Sequence, residues 1–232
     1  SFAGRLGCTT TSGPGLALKT EALGLAVITE LPLVVVNVQR AGPSTGLPTK
    51  VEQADLLQSI FGRNGEAPIP VVACSCPADA FDCAVEACRI AVEFMTPVIL
   101  LSDNYIANGA EPWKLPAMED LPKFPVKFVT DPEGFTPYNR NEHLVRGWAK
   151  PGTPGLQQRI GGLEKDSKTG NVSHDPDNHQ VMVELRAQKI QNVRETIPTP
   201  KVNGPDSGDL LVVAWGSTYG ANRAAVERMQ KE

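Results

Sequence analysis

The chain has 232 residues, with 22 basic against 26 acidic side chains, and the resulting net charge of −4 leaves no basic surplus for a phosphate backbone. Hydrophobic residues at 41% and charged residues at 21% suit a folded core and exclude a disordered chain. The longest strongly apolar run, Leu31 to Val38, is far short of the ~20 residues that cross a bilayer, and Ser1 to Gly7 lacks the apolar centre of a signal peptide.

Helices and short apolar runs alternate over residues 1–102. Leu16 to Glu30 places apolar side chains at Leu16, Leu23, Val27 and Ile28 with few breakers, which predicts a helix ended by Pro32. The β-branched run Leu33 to Val38 has no alternation, as in a parallel strand covered on both faces. Val51 to Phe61 reads as a short helix, Ile69 to Cys74 as a second buried strand and Ala78 to Phe94 as a long helix. That helix carries Ser75 or Cys76 at its cap, Pro77 near its first turn, and Asp79 and Asp82 where carboxylates suit the helix dipole. Val98 to Leu101 is a third strand. Strands separated by helices imply crossover connections, so the expected fold is α/β, a parallel sheet with helices on both faces.

The remainder is organised differently. Eight prolines between Asp103 and Ile160 (112, 116, 122, 125, 132, 137, 151 and 154) forbid a long helix or central strand, which predicts an extended arm around a neighbour or a second subunit. Asp175-Pro176-Asp177 starts a helix running to about Thr196, and Pro198, Pro200 and Asn203-Gly204-Pro205 form a linker. Asp209 to Ala214 reads as a strand, Trp215 to Thr218 as its turn and Tyr219 to Glu232 as a helix. A lone βα unit cannot cover its own apolar face, so the chain reads as a piece of a longer polypeptide. The expected divisions are 1–102, 103–200 and 201–232.

Two loops are candidates for chemistry. Thr9-Thr10-Thr11-Ser12-Gly13-Pro14-Gly15 stands ahead of the first helix, where glycines admit a ligand and free helix amides favour an anion or a polar ring edge. Gln39-Arg40-Ala41-Gly42-Pro43-Ser44-Thr45-Gly46-Leu47-Pro48-Thr49 leaves the carboxyl end of a buried strand, where open α/β sheets place ligands. A guanidinium there grips a carboxylate with two parallel hydrogen bonds, which lysine cannot copy.

The five cysteines are odd in number and contain no CxxC pair, which argues for reduced thiols in a cytoplasmic protein and against zinc or an iron–sulfur cluster held by this chain. Cys83 and Cys88 lie five apart, about 500° of helix rotation, and are expected to point in different directions. His174 and His179 bracket Asp175 and Asp177, but the acids are explained as helix caps, so no metal site is expected. Gly216-Ser217-Thr218-Tyr219-Gly220 has its serine one residue too early for a nucleophile elbow.

With both loops in place the chain resembles a family. Thr11–Gly15 is similar to the loop of pyrimidine-binding domains in thiamine-diphosphate enzymes. Together with Val38–Thr49 it resembles the α subunit of 2-oxoacid:ferredoxin oxidoreductases, and the likeness extends through Gly152–Gly155, Gly161–Glu164, Asp175–His179 and Leu211–Ser217. Phe61–Glu66 and the long arm look most like the enzymes acting on 2-oxoglutarate. The resemblance implies oxidative decarboxylation of 2-oxoglutarate, or a related 2-oxoacid such as pyruvate, on thiamine diphosphate to an acyl-CoA, with ferredoxin as acceptor. It implies a thiamine-diphosphate pyrimidine domain followed by the start of a transketolase C-terminal-like domain.

The same resemblance assigns the substrate carboxylate to Arg40 with Thr45 beside it, and a cofactor-facing wall to Ser12, Gly13, Pro14, Gly15, Gly42, Pro43 and Ser44. It implies a β subunit that holds the diphosphate, Mg²⁺ and a [4Fe–4S] cluster, and a dimer of such heteromers. The family's activating glutamate and its YPITP segment lie ahead of the first loop. Only eight residues precede Thr9 and none is acidic, so no catalytic acid is expected in this chain, which alone should be inactive. Two other readings stay open: an acetolactate-synthase-like carboligase and a non-catalytic scaffold subunit.

Overall fold

A computed structural model describes residues 1–231. Four parallel strands, β1 (Gly7–Thr11), β2 (Leu33–Gln39), β3 (Val71–Ala73) and β4 (Pro97–Asp103), form one sheet in the order β1-β2-β4-β3. Between β1 and β2 come α1 (Gly13–Leu18) and α2 (Thr20–Thr29); α3 (Leu56–Phe61) precedes β3, and α4 (Asp79–Phe94) joins β3 to β4.

Alternate residues of the central strands feed two cores, as a strand with unbroken apolar character requires. Val34, Val98 and Leu100 face α4, where they meet Ala87, Ile90, Ala91 and Phe94. Val35, Ile99 and Leu101 face the other way and meet Leu16 of α1 with Leu23 and Val27 of α2. Each such Val, Leu or Ile contributes roughly 1.5–3 kcal/mol on burial. The expected α/β sheet with helices on both faces is present.

Several boundaries differ from expectation. The helix expected over 16–30 is two helices broken at Lys19 (φ −119°, ψ 14°). The strand β1 was not anticipated. Its Thr9 and Thr10 lie exposed on the sheet edge, so it offers no apolar periodicity, only the β-preference of its three threonines. Residues 51–55 run irregularly before α3. Ser75 does not cap α4; its backbone and hydroxyl both donate to Asp79 Oδ2 at 2.8 Å. Cys83 and Cys88 both touch the core under α4 but diverge as expected, Cys83 Sγ lying near Ala73 O on β3 and Cys88 toward Cys8 on β1 at the opposite sheet edge. Burial pushes the Cys83 thiol up to about 12.

The proline-rich stretch folds back on its own sheet. After α5 (Asn104–Asn108), the two-residue strands β5 (Phe128–Val129) and β6 (Trp148–Ala149) pair in parallel. Trp148, Val145 and Val193 complete the core under α4, and the Phe128 and Trp148 rings stand 5.2 Å apart. The expected wrapping of a neighbour is therefore, for residues 128–193, a wrapping of this chain itself. Then α6 (Pro176–Asn192) begins on Asp175, whose side chain accepts the Asp177 amide at 2.9 Å.

At the end, α7 (Tyr219–Met229) forms, but 209–214 is not a strand. Leu210 and Val213 are more than 80% exposed there, and a strand with no neighbour to bond gains nothing from the extended form.

Candidate functional site

The register of the sheet brings the two loops together. Thr11, the last residue of β1, pairs with Asn37 of β2, so the turn after one strand and the loop after the other leave the same sheet end side by side. Ser12 is extended (φ −130°, ψ 178°) and enters α1 with Pro14 in the first turn. A Cβ on Gly15 would strike Thr11 Oγ1, and one on Gly13 would come within 2.7 Å of Asp55 Oδ2, so both glycines answer close approaches.

The second loop is shaped by its backbone. Ala41 and Leu47 bridge across it, with Leu47 N–H donating to Ala41 O at 3.0 Å and Ala41 N–H to Lys50 O at 3.1 Å. Gly42–Pro43 is cis, and Ser44, Gly46 and Thr49 have φ of 55°, 53° and 67°. For Ser44 and Thr49 the left-handed region costs on the order of 1 kcal/mol each, strain of the kind that collects at ligand sites.

Arg40 opens this loop, half-buried. Among the described residues its Nε is enclosed without a hydrogen-bond partner, and no ion pair includes it. Leaving an enclosed donor unpaired costs roughly 1–3 kcal/mol, which a carboxylate ligand would recover. Two carboxylates stand close by yet are tied elsewhere: Glu52 Oε2 accepts the Gly42 amide at 2.7 Å, and Asp55 Oδ2 accepts Asn37 Nδ2–H at 3.0 Å. Among the described residues neither acid forms an ion pair with Arg40.

A hollow of about 480 Å³ lies between the loops, a size suited to a ring and a small acid. Of the predicted residues, Gly13, Pro14, Arg40, Gly42, Pro43 and Ser44 line it. Ser12, Gly15 and Thr45 do not: Ser12 precedes α1, Gly15 packs against Thr11, and Thr45 is exposed on the loop. Sequence reasoning missed Ala17, Glu52, Ala54, Asp55 and Gln58, which also line it. Starting that helix at Val51 made Glu52 and Asp55 ordinary helix-surface acids; an aspartate just ahead of the apolar Leu56–Leu57 pair was the available signal.

The C-terminal turn reaches the same end of the sheet. The Ser217 hydroxyl donates to Asp103 Oδ2 at the end of β4, and Gln53 Nε2–H donates to Trp215 O at 3.2 Å. His179 stands elsewhere, its Nδ1 2.9 Å from Glu164 Oε2, which Arg186 also holds at 2.9 Å.

A parallel sheet with helices on both faces and a strand-end hollow holding an unpaired arginine defines a cofactor- or substrate-binding α/β domain. Residues 1–176 match the pyruvate flavodoxin/ferredoxin oxidoreductase thiamine-diphosphate-binding family, and the chain belongs to it. It is 53% identical, over its whole length, to the 2-oxoglutarate oxidoreductase subunit KorA of Mycobacterium tuberculosis, of which it covers 35%. The 2-oxoglutarate synthase subunit KorA of Methanothermobacter marburgensis is 32% identical, again over all of this chain and 61% of that one. Among solved structures, the 2-oxoglutarate:ferredoxin oxidoreductase of Magnetococcus marinus, with 2-oxoglutarate, coenzyme A and succinyl-CoA bound, superposes with a TM-score of 0.89 at 36% identity, covering this whole chain and 40% of its own. The chain thus spans about a third to three-fifths of the length of these relatives.

Proposed function

We propose that this chain supplies the carboxylate clamp and the pyrimidine-side wall of a 2-oxoglutarate:ferredoxin oxidoreductase that forms succinyl-CoA. The observation that carries the reading is Arg40, enclosed at Nε, unpaired, and set at the mouth of a hollow between the two loops. Its fork suits the carboxylate next to the 2-oxo group and would orient that group for reaction. In this reading Thr45, exposed on the same loop outside the hollow, meets the part of the substrate that projects from it.

The chain's own residues fit a flat heteroaromatic cofactor. Gly13 and Pro14 form a smooth wall, and the close packing of Gly13 on Asp55 and of Gly15 on Thr11 leaves no room for bulkier side chains. In this reading Gly42, Pro43 and Ser44 continue that wall, and Ser12 and Gly15 set the turn that carries it. Thiamine diphosphate, when bound, supplies the nucleophilic carbon and the electron sink that decarboxylation of a 2-oxoacid requires. The reading assigns the diphosphate, Mg²⁺ and a [4Fe–4S] cluster to a β subunit, makes ferredoxin the acceptor, and pairs the heteromers into a dimer. It also keeps the domain divisions 1–102, 103–200 and 201–232. A cytoplasmic location goes with this reading; among the described residues no helix is long and apolar enough to cross a membrane.

The test uses the complete subunit purified without oxygen together with its partner. Reduction of a viologen dye should require both 2-oxoglutarate and coenzyme A. Arg40→Met should lower kcat/KM by roughly a hundredfold while the clusters stay intact. Absence of dye reduction with any 2-oxoacid, in a complex loaded with thiamine diphosphate and intact clusters, would sink the assignment.

A further inference from the structure

We infer that Asp55 is a positioning residue that sets the distance between the Gly13 turn and the Arg40 loop. It touches three residues of two elements, the strand β2 and the turn into α1. Its Oδ2 accepts Asn37 Nδ2–H at 3.0 Å, and its backbone N–H donates to Gln39 Oε1 at 3.0 Å. Its carboxylate also lies against Gly13, where a Cβ would meet both oxygens within 3.0 Å. Asn37 and Gln39 are 0% and 1% exposed on β2, the strand that leads into Arg40. Gln39 in turn donates to Ser102 O of β4 at 3.1 Å.

A buried amide is costly unless bonded, so these two are built into the strand to hold something. What both hold is Asp55. Although it occupies the cap position of α3, its side chain makes no cap bond and points its bonding capacity at β2 instead. The carboxylate is therefore a spacer, anchored below by Asn37 and touching the turn on its flank. Among the described residues no ion pair joins it to Arg40. A shift of about 1 Å between substrate-positioning groups costs up to about a hundredfold in rate, so such a spacer governs how well cofactor and acid meet.

This inference rests on the proposed function for the identity of its ligands. The experiment uses the complete subunit with its partner and reads two quantities: KM against kcat for 2-oxoglutarate, and the dissociation constant of thiamine diphosphate from fluorescence quenching. Asp55→Ala should raise both KM and that constant by about tenfold or more, with a smaller fall in kcat. Asp55→Asn keeps the shape and an acceptor for Asn37, and should recover both to within about threefold of wild type. Asn37→Ser, which cuts the tether from the other end, should reproduce the Asp55→Ala loss if that variant fails to assemble. Gly13→Ala should also weaken binding, and adding Asp55→Ala should cost less than the two single losses combined, because the two groups touch.

Equal damage from Asp55→Asn and Asp55→Ala would overturn the spacer role in favour of a role for the charge. Strict additivity with Gly13→Ala would overturn it as well. If wild type binds thiamine diphosphate with this variant pattern yet oxidises no 2-oxoacid, the spacer stands and the proposed function falls.

Discussion

The Glu30 carboxylate and the Arg140 guanidinium, 110 residues apart, meet inside the protein as a two-pronged ion pair of 2.7 and 2.5 Å. Glu30 ends α2 in the left-handed region (φ 50°) and is fully buried; Lys189 of α6 also reaches its Oε2, at 2.7 Å. One carboxylate thus ties the proline-rich stretch and α6 to α2, a helix packed on the sheet. Glu30→Gln would leave two buried cations without their anion and should destabilise the fold by about 3–5 kcal/mol. Urea denaturation followed by tryptophan fluorescence measures the change.

Acid should act through the same group. Burial by itself pushes the Glu30 carboxyl up, but Lys189 and Arg140 together outweigh it and hold the carboxyl at about 2, below its ordinary 4.5. A folded value below the unfolded one means that this stabilisation is complete above about pH 4.5 and is lost as pH falls toward about 2. Wild type should therefore lose more stability than Glu30→Gln when denaturation midpoints at about pH 6 and about pH 3 are compared. Parallel pH dependence in the two proteins would count against this cluster as the origin.

Arg40→Lys separates charge from geometry. The ammonium keeps the charge but cannot form two parallel bonds to one carboxylate. It should raise KM for 2-oxoglutarate roughly tenfold, less than the loss expected for Arg40→Met. Steady-state kinetics on the complete complex decides it.

Gly46 is the loop position with least tolerance. Its φ is 53°, and an added Cβ would run into the Ala41 carbonyl, which is backbone and cannot swing away. Gly46→Ala should break the Ala41–Leu47 bridge and displace Arg40, costing about tenfold or more in KM with little loss of global stability. An unchanged KM would mean that the loop does not hold the arginine.

Trp148 is 3% exposed and packs in the core under α4, although it lies in the stretch that prolines mark as irregular. Trp148→Ala should cost about 3–5 kcal/mol, read by the urea midpoint. A loss below about 1 kcal/mol would mean that 128–149 detaches from the sheet in solution.

Much of the sheet was legible before any coordinates. Leu33 to Val36 and Val98 to Leu101 are unbroken apolar runs without alternation, the pattern of strands covered on both sides. The arginine that follows one of them was legible too, because the glycines and prolines after it forbid a helix. The strand β1 was obscured because an edge strand of threonines has no apolar period, and the run Leu210–Val213 misled because strand propensity without a partner strand is not structure.

The sequence by itself determined the layered α/β class, a glycine-bearing turn ahead of the first helix, and the exit of a second such loop from a strand end with one fixed cation on it, since all three follow from local pattern and chain stiffness. Only the tertiary structure decided that Thr11 stands beside Asn37, that Asp55 rather than a loop residue fills the space between Gly13 and β2, and that Arg140 returns to Glu30. Those contacts join segments up to 110 residues apart. Their selection depends on which of many possible pairings packs the sheet while giving its buried charges a partner, a property of the packed whole that no local window contains.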